Sequence, residues 1–155
     1  MINHLRRYKI GFSIYGLIAF ALQELPYLPW FLWPPVNNPL ANNVPQNTFF
    51  GILEKFGGIL TVGLLIIIVN KSVTRLTFKN KLFFISVLCL LTYYICWVFY
   101  FLGFTNAWLI VAGLSAVVPI YYLFTALWLK NYFAIFTSII FFVGHTGSNM
   151  INYVL

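Results

Sequence analysis

The 155 residues are 62% hydrophobic and 7% charged, with a mean hydropathy of +0.92. A soluble domain carries roughly 25% charged residues because its surface must face water, and this chain has too few to coat a globule of its size. Its net charge of +7 comes in short clusters between apolar stretches rather than as one stripe, which argues against a nucleic-acid partner and for membrane topology.

Five apolar segments, each near the roughly 20 residues that cross a bilayer core, follow in order. They predict one all-α integral membrane domain over residues 1–155. The first runs from about Ile10 to Leu25, after the basic start Arg6-Arg7-Tyr8-Lys9. A basic start before an apolar run also describes a signal peptide. Here the run leads into Glu24, Pro26 and Tyr27 rather than a small-residue cleavage site, so an uncleaved helix is expected.

Next comes PYLPWFLWPPVNNPLANNVPQ, Pro26 to Gln46, with prolines at 26, 29, 34, 35, 39 and 45. Proline removes an amide donor and fixes its own backbone angle, so continuous helix is not expected across 26–48. Trp30, Phe31, Leu32 and Trp33 are too apolar for a free aqueous loop, and tryptophan favours the headgroup boundary. The segment is expected to lie on the outer membrane surface or over the mouth of the bundle. Asn37-Asn38-Pro39 and Asn42-Asn43 are turn-forming.

The second helix is expected over 49–69, the third over 82–103, the fourth over 107–129 and the fifth over 132–155. Orientation follows from the cations. Arg6, Arg7 and Lys9 precede helix one; Lys71, Arg75, Lys79 and Lys81 lie between helices two and three; Lys130 lies between four and five. The opposite connections carry no basic residue. Only Lys55 departs from the pattern, so the amino terminus is expected in the cytoplasm and the carboxyl terminus outside, in a bacterial cytoplasmic membrane.

Polar groups inside the spans mark where chemistry could sit, because hydrocarbon offers them no partner. Glu24 and Glu54 are the two acids of the chain. Glu54 falls roughly 7 Å below the outer end of helix two. His145, Ser148, Asn149 and Asn152 share one face of helix five by their i, i+3, i+4, i+7 spacing. Tyr93, Trp97 and Tyr100 form an aromatic stripe on helix three, with Ser115, Pro119, Tyr122 and Thr125 on helix four. Asn149 and Trp97 both fall roughly 9 Å below the outer surface, near the depth of Glu54.

Glu54, Trp97, His145, Asn149, Tyr93, Tyr100 and Trp33 are therefore the candidate ligand-binding residues, around an outward-facing aromatic cavity for a small amphipathic or lipidic molecule. Structural glue between helices is the competing explanation of the same polar face. Two other functions stay open: an accessory subunit packed on a partner membrane protein, and a lipid-modifying enzyme with a Glu54–His145 acid–base pair. Beyond the bilayer itself, a membrane-protein partner or a second copy of the chain is a candidate partner. No catalytic set, no metal site and no cofactor motif is present in the sequence. Cys89 and Cys96 read as small buried hydrophobes rather than as a redox pair.

Five helices, this length and a first outer connection with Trp33-Pro34-Pro35 give an architecture that resembles the TspO-type tryptophan-rich sensory proteins. That resemblance implies an aromatic cavity under the connection for porphyrin- or sterol-like ligands. It carries over no individual residue. A glutamate in helix two is also similar to the sterol-isomerase-like membrane fold, a bundle of four helices with a different set of acids.

Overall fold

The computed structural model describes residues 7–71, 73 and 77–155; Arg6 and Arg75 lie outside them. The chain is mostly helical, with one small sheet. In order come strand β1 (Tyr8–Ile10), helices α1 (Ile14–Glu24) and α2 (Tyr27–Leu32), a 3-10 turn at Pro39–Asn42, and α3 (Thr48–Ile67). Strand β2 (Ile68–Asn70), α4 (Lys81–Phe101), a π-helical stretch Leu109–Ala116 running into α5 (Val117–Trp128), and α6 (Tyr132–Tyr153) complete it. Four helical segments are long and apolar enough to cross a membrane: Thr48–Ile67, Lys81–Phe101, Leu109–Trp128 and Tyr132–Tyr153.

Asparagine starts each of these four. Asn47 accepts from the Phe50 amide at 3.2 Å, Asn80 from Leu82 at 2.8 Å, Asn106 from Leu109 at 2.9 Å and Asn131 from Ala134 at 3.2 Å. Each side chain satisfies an amide that the first helical turn leaves without a partner. Asn131 does more. Buried to 2% exposure, its amide also donates to the carbonyls of Leu64 and Ile68 at the end of α3, at 2.8 and 3.0 Å.

The first helix differs from the expected 10–25. It starts at Ile14, because Tyr8–Ile10 is a strand, antiparallel to Ile68–Asn70 with Tyr8 opposite Asn70 and Ile10 opposite Ile68. Tyr, Ile and Val suit a pleated ladder better than a helix start, and Ser13 then caps α1 through the Gly16 amide. At 11 residues, or roughly 16 Å, α1 alone falls short of a bilayer core. Tyrosines from neighbouring helices take up its late carbonyls: Tyr121 donates to Ala19 at 2.9 Å, and Tyr94 donates to Leu22.

Pro119 is expected to disturb helix four, and the disturbance takes a particular form. The eight residues Leu109–Ala116 just before it are π-helical. Proline has no N–H to give and its ring crowds the preceding turn, so the wider π turn relieves the clash.

The most extensive interface joins α3 to α6. It closes through glycines set against the opposite backbone: Gly57 against Phe141, and Gly144 against Leu53 and Glu54. The α4 helix packs on α5, and α5 on α6. Burial runs opposite to that of a soluble protein. Tyr93, Tyr100, Tyr122, Asn131 and Asn149 are fully buried, whereas Phe56, Ile59, Phe84, Leu88, Val98 and Phe136 are exposed.

Candidate functional site

The half of the bundle next to the proline-rich connection holds two linked polar systems and a groove beside them. In the first, His145 on α6 meets Glu54 on α3, with Nδ1 and Oε1 2.9 Å apart. Gly144 is what permits this, since its lack of a side chain lets α6 touch the backbone at Glu54. The His145 ring lies tilted on Phe141 with centroids 5.1 Å apart. The other Glu54 oxygen, Oε2, is buried and has no hydrogen-bond partner. Lys55, the next residue, makes no such contact: among the described residues His145–Glu54 is the one close approach of a basic and an acidic side chain.

Asn149 continues the system. Its amide donates to the Ser115 hydroxyl at 3.1 Å and to the His145 carbonyl at 2.8 Å, while its oxygen accepts from Asn43 at 2.8 Å. Ser115 itself donates to the His145 carbonyl at 3.0 Å. Asn152 grips the same stretch of the outer connection, donating to Asn43 at 2.6 Å and to the Val44 carbonyl at 3.0 Å, and accepting from the Gln46 amide at 3.2 Å. The polar face of helix five is thus bound to the Asn43–Gln46 segment, one turn above the Glu54–His145 pair.

The second system is built on α4. Tyr93, Trp97 and Tyr100 pack edge to face, with successive centroids 6.1 and 5.5 Å apart. Tyr93 accepts from Gln23 at 3.1 Å, and Gln23 in turn accepts from Tyr122 at 2.8 Å. Tyr100 donates to Asn38 at 2.8 Å and accepts from the Leu40 amide at 3.2 Å; Trp30 also donates to Asn38, at 3.0 Å. Tyr153 donates to the Pro39 carbonyl at 3.2 Å. The proline-rich connection therefore sits over the helices as a cap fastened by α4 on one side and α6 on the other. Tyr27 adds an aromatic contact between the two, packing edge-on against Trp97 with centroids 5.3 Å apart.

Beside the cap, α2 and α4 leave a groove of about 430 Å³. Leu25, Pro26, Pro29 and Trp33 form one wall, and Tyr94, Trp97, Val98 and Phe101 the other. The volume lies in the range of small-molecule sites, roughly 300–1,000 Å³. Trp33 is 72% exposed at the rim. Trp97 is buried, and its indole N–H has no hydrogen-bond partner.

The seven candidate residues divide accordingly. Glu54, His145 and Asn149 belong to the first system, Tyr93 and Tyr100 to the second, and Trp33 and Trp97 to the groove. Trp97 joins the second system to the groove. Sequence reasoning passed over Gln23, whose signal was an amide within an apolar run, and left Asn38 and Asn43 as turn formers although they bind the cap to the bundle. Chemically, the Glu54–His145 contact is a hydrogen bond between a carboxyl oxygen and a ring nitrogen, and Oε2 takes no donor among the described residues. Among the described residues, no three His, Cys, Asp or Glu side chains gather as a metal ion would require.

Comparison with family models, curated proteins and solved structures finds no match for this chain.

Proposed function

We propose that the chain is a multi-pass membrane protein that binds a small amphipathic or lipidic molecule in the groove between α2 and α4. The observation that carries this is the groove itself: apolar, of ligand size, walled by Trp33 and Trp97, and placed where the polar cap meets exposed apolar surface. The membrane part draws support from burial. Phe, Ile and Leu turned outward with Tyr and Asn turned inward suit a hydrocarbon surround, where every interior polar group must find a partner.

Five crossings, amino terminus inside, are part of the same proposal. The α1 and α2 helices, of 11 and 6 residues, serve together as one span broken at Pro26. Irregular backbone at such a depth is tolerated where protein packs against it, and here Tyr94, Tyr100 and Trp97 do so. The thiol of an Asn38→Cys variant should label from outside intact cells, and that of Ser72→Cys should not; labelling in the reverse order would overturn the topology.

Filling the groove tests the binding function. The wild type should carry a small amphipathic molecule through purification, and Val98→Trp should cut its amount at least fivefold by mass spectrometry of extracts, while the far-ultraviolet circular dichroism stays that of the wild type. Equal amounts in both proteins would remove the groove from consideration.

A second function, accessory subunit of a membrane complex, is favoured by one feature. Both donors and the acceptor of Asn149 are engaged within the chain, as expected of helix glue. A subunit should co-purify with one fixed partner in mild detergent and lose stability without it.

A further inference from the structure

We infer that one face of the small sheet at the opposite end of the bundle binds the phosphate of an anionic phospholipid. The pairing of β1 with β2 runs one step beyond the strands, because the Lys71 amide donates to the Arg7 carbonyl at 2.7 Å. With Tyr8 opposite Asn70 and Lys9 opposite Val69, Arg7 stands directly opposite Lys71. Successive side chains alternate between faces of a strand. Arg7, Lys9 and Lys71 therefore share one face, and Tyr8 and Asn70 share the other.

At Tyr8 and Asn70 the other face is turned into the protein. The Tyr8 ring packs edge-on against Phe133 and Tyr132, its hydroxyl donates to the Lys130 carbonyl at 3.0 Å, and the Asn70 amide donates to that same carbonyl at 2.9 Å. These contacts fix the sheet and leave the three cations facing away from the bundle, each exposed.

Like charges directly opposite on neighbouring strands repel and destabilise the pair. Neither acidic side chain of the chain relieves them. Its two acids are Glu24, at the far end of α1, and Glu54, engaged with His145. Glu54 precedes β2 by most of α3, or roughly 20 Å at 1.5 Å per residue, beyond a Debye length of about 10 Å. An anion from outside resolves the conflict.

The neighbouring residues say which kind. Ile10 is 84% and Phe12 66% exposed just where the chain leaves the sheet for α1; both alternate with Lys9, so they stand on the Tyr8 side of the strand and flank the cations across its edge. Three cations bordered by exposed apolar side chains match a molecule with a charged head and apolar tails. An arginine fork suits two phosphate oxygens, and a lysine supplies a further point charge. The inference rests on the membrane placement proposed above and is independent of the outer groove.

The test uses the full chain purified in detergent, with phosphatidylglycerol or phosphatidylcholine added and retained lipid counted by native mass spectrometry. Wild type should retain phosphatidylglycerol at least about fivefold over phosphatidylcholine, since each cation at an anionic surface contributes on the order of that factor. Arg7→Gln/Lys9→Gln/Lys71→Gln should bring the ratio close to one, while Lys79→Gln/Lys81→Gln, outside the two strands, should leave it unchanged. Millimolar inorganic phosphate should not compete. A preference that survives in the Arg7/Lys9/Lys71 variant, or one that phosphate abolishes, overturns the lipid site. Flotation with phosphatidylcholine vesicles separates the two levels: a chain that does not float defeats the membrane placement, and one that floats without lipid preference defeats this inference alone.

Discussion

Gly144→Val should separate α3 from α6 and cost about 3 kcal/mol or more of stability, the upper end for overpacking a tight interface. A Cβ at 144 would clash with the Glu54 amide nitrogen and stand 2.5 Å from the Leu53 carbonyl carbon. Backbone cannot swing aside as a flexible side chain can. The ordinary expectation for a helical glycine has the opposite sign, since a residue with a Cβ usually favours helix by up to about 1 kcal/mol. Gly63 supplies the control, because nothing beyond its chain neighbours and its own helical backbone lies within 4 Å of where its Cβ would be; Gly63→Ala should be neutral or stabilising. Unfolding titrations in mixed micelles measure both. Equal midpoints for the two variants would mean that the close approach of α3 and α6 contributes nothing to stability.

The second large effect is expected at the cap. Asn149→Ala removes two donors and one acceptor from a side chain that is 2% exposed. The Asn43 amide is left without its acceptor, and Ser115 and the His145 carbonyl each lose a donor. Groups stranded in this way cost roughly 1–3 kcal/mol each in the folded state, reduced where water enters from the outer surface, so a net loss of about 2–3 kcal/mol is expected. The double variant Asn43→Ala/Asn149→Ala should be less destabilised than the sum of the singles, with a coupling of about 1 kcal/mol for a direct contact. Thiol labelling of an Asn42→Cys variant should quicken in parallel when Asn149→Ala is added, because the Asn43–Gln46 segment loses a tether. Strict additivity, with unchanged labelling, would leave the cap independent of helix five.

These two sites show how differently the fold and the site were written into the chain. The four long helices are legible because hydropathy is a local property; the asparagines at 47, 80, 106 and 131 that cap them through their own side chains were a local signal that the reading of the sequence passed over. The break after Leu25 is likewise local, a consequence of Pro26 and Pro29. The strand at Tyr8–Ile10 is not local. Three residues with mixed preference extend a helix or join a ladder according to whether a partner lies alongside, and Ile68–Asn70 does so only once α1 and α3 have packed. The π-helical stretch before Pro119 is half legible, since proline announces a disturbance without stating its form.

For the candidate site, shared depth on separate helices could be computed from residue counts, and the spacing of His145, Ser148, Asn149 and Asn152 placed them on one face. Rotation about each helix axis could not be obtained in that way. It decides that Glu54 looks toward α6 while Lys55 does not, and that Trp97 lies between an aromatic stripe and a groove.

By itself, then, the sequence determined the apolar segments, the position of the cations along the chain and the shared face of helix five, all of which follow from residue identity, hydropathy and helical period. Tertiary structure alone decided which polar groups meet. Glu54 and His145 stand 91 residues apart, and they touch because a glycine beside the histidine lets two backbones approach, a choice of partner and rotation that no local property of the chain encodes.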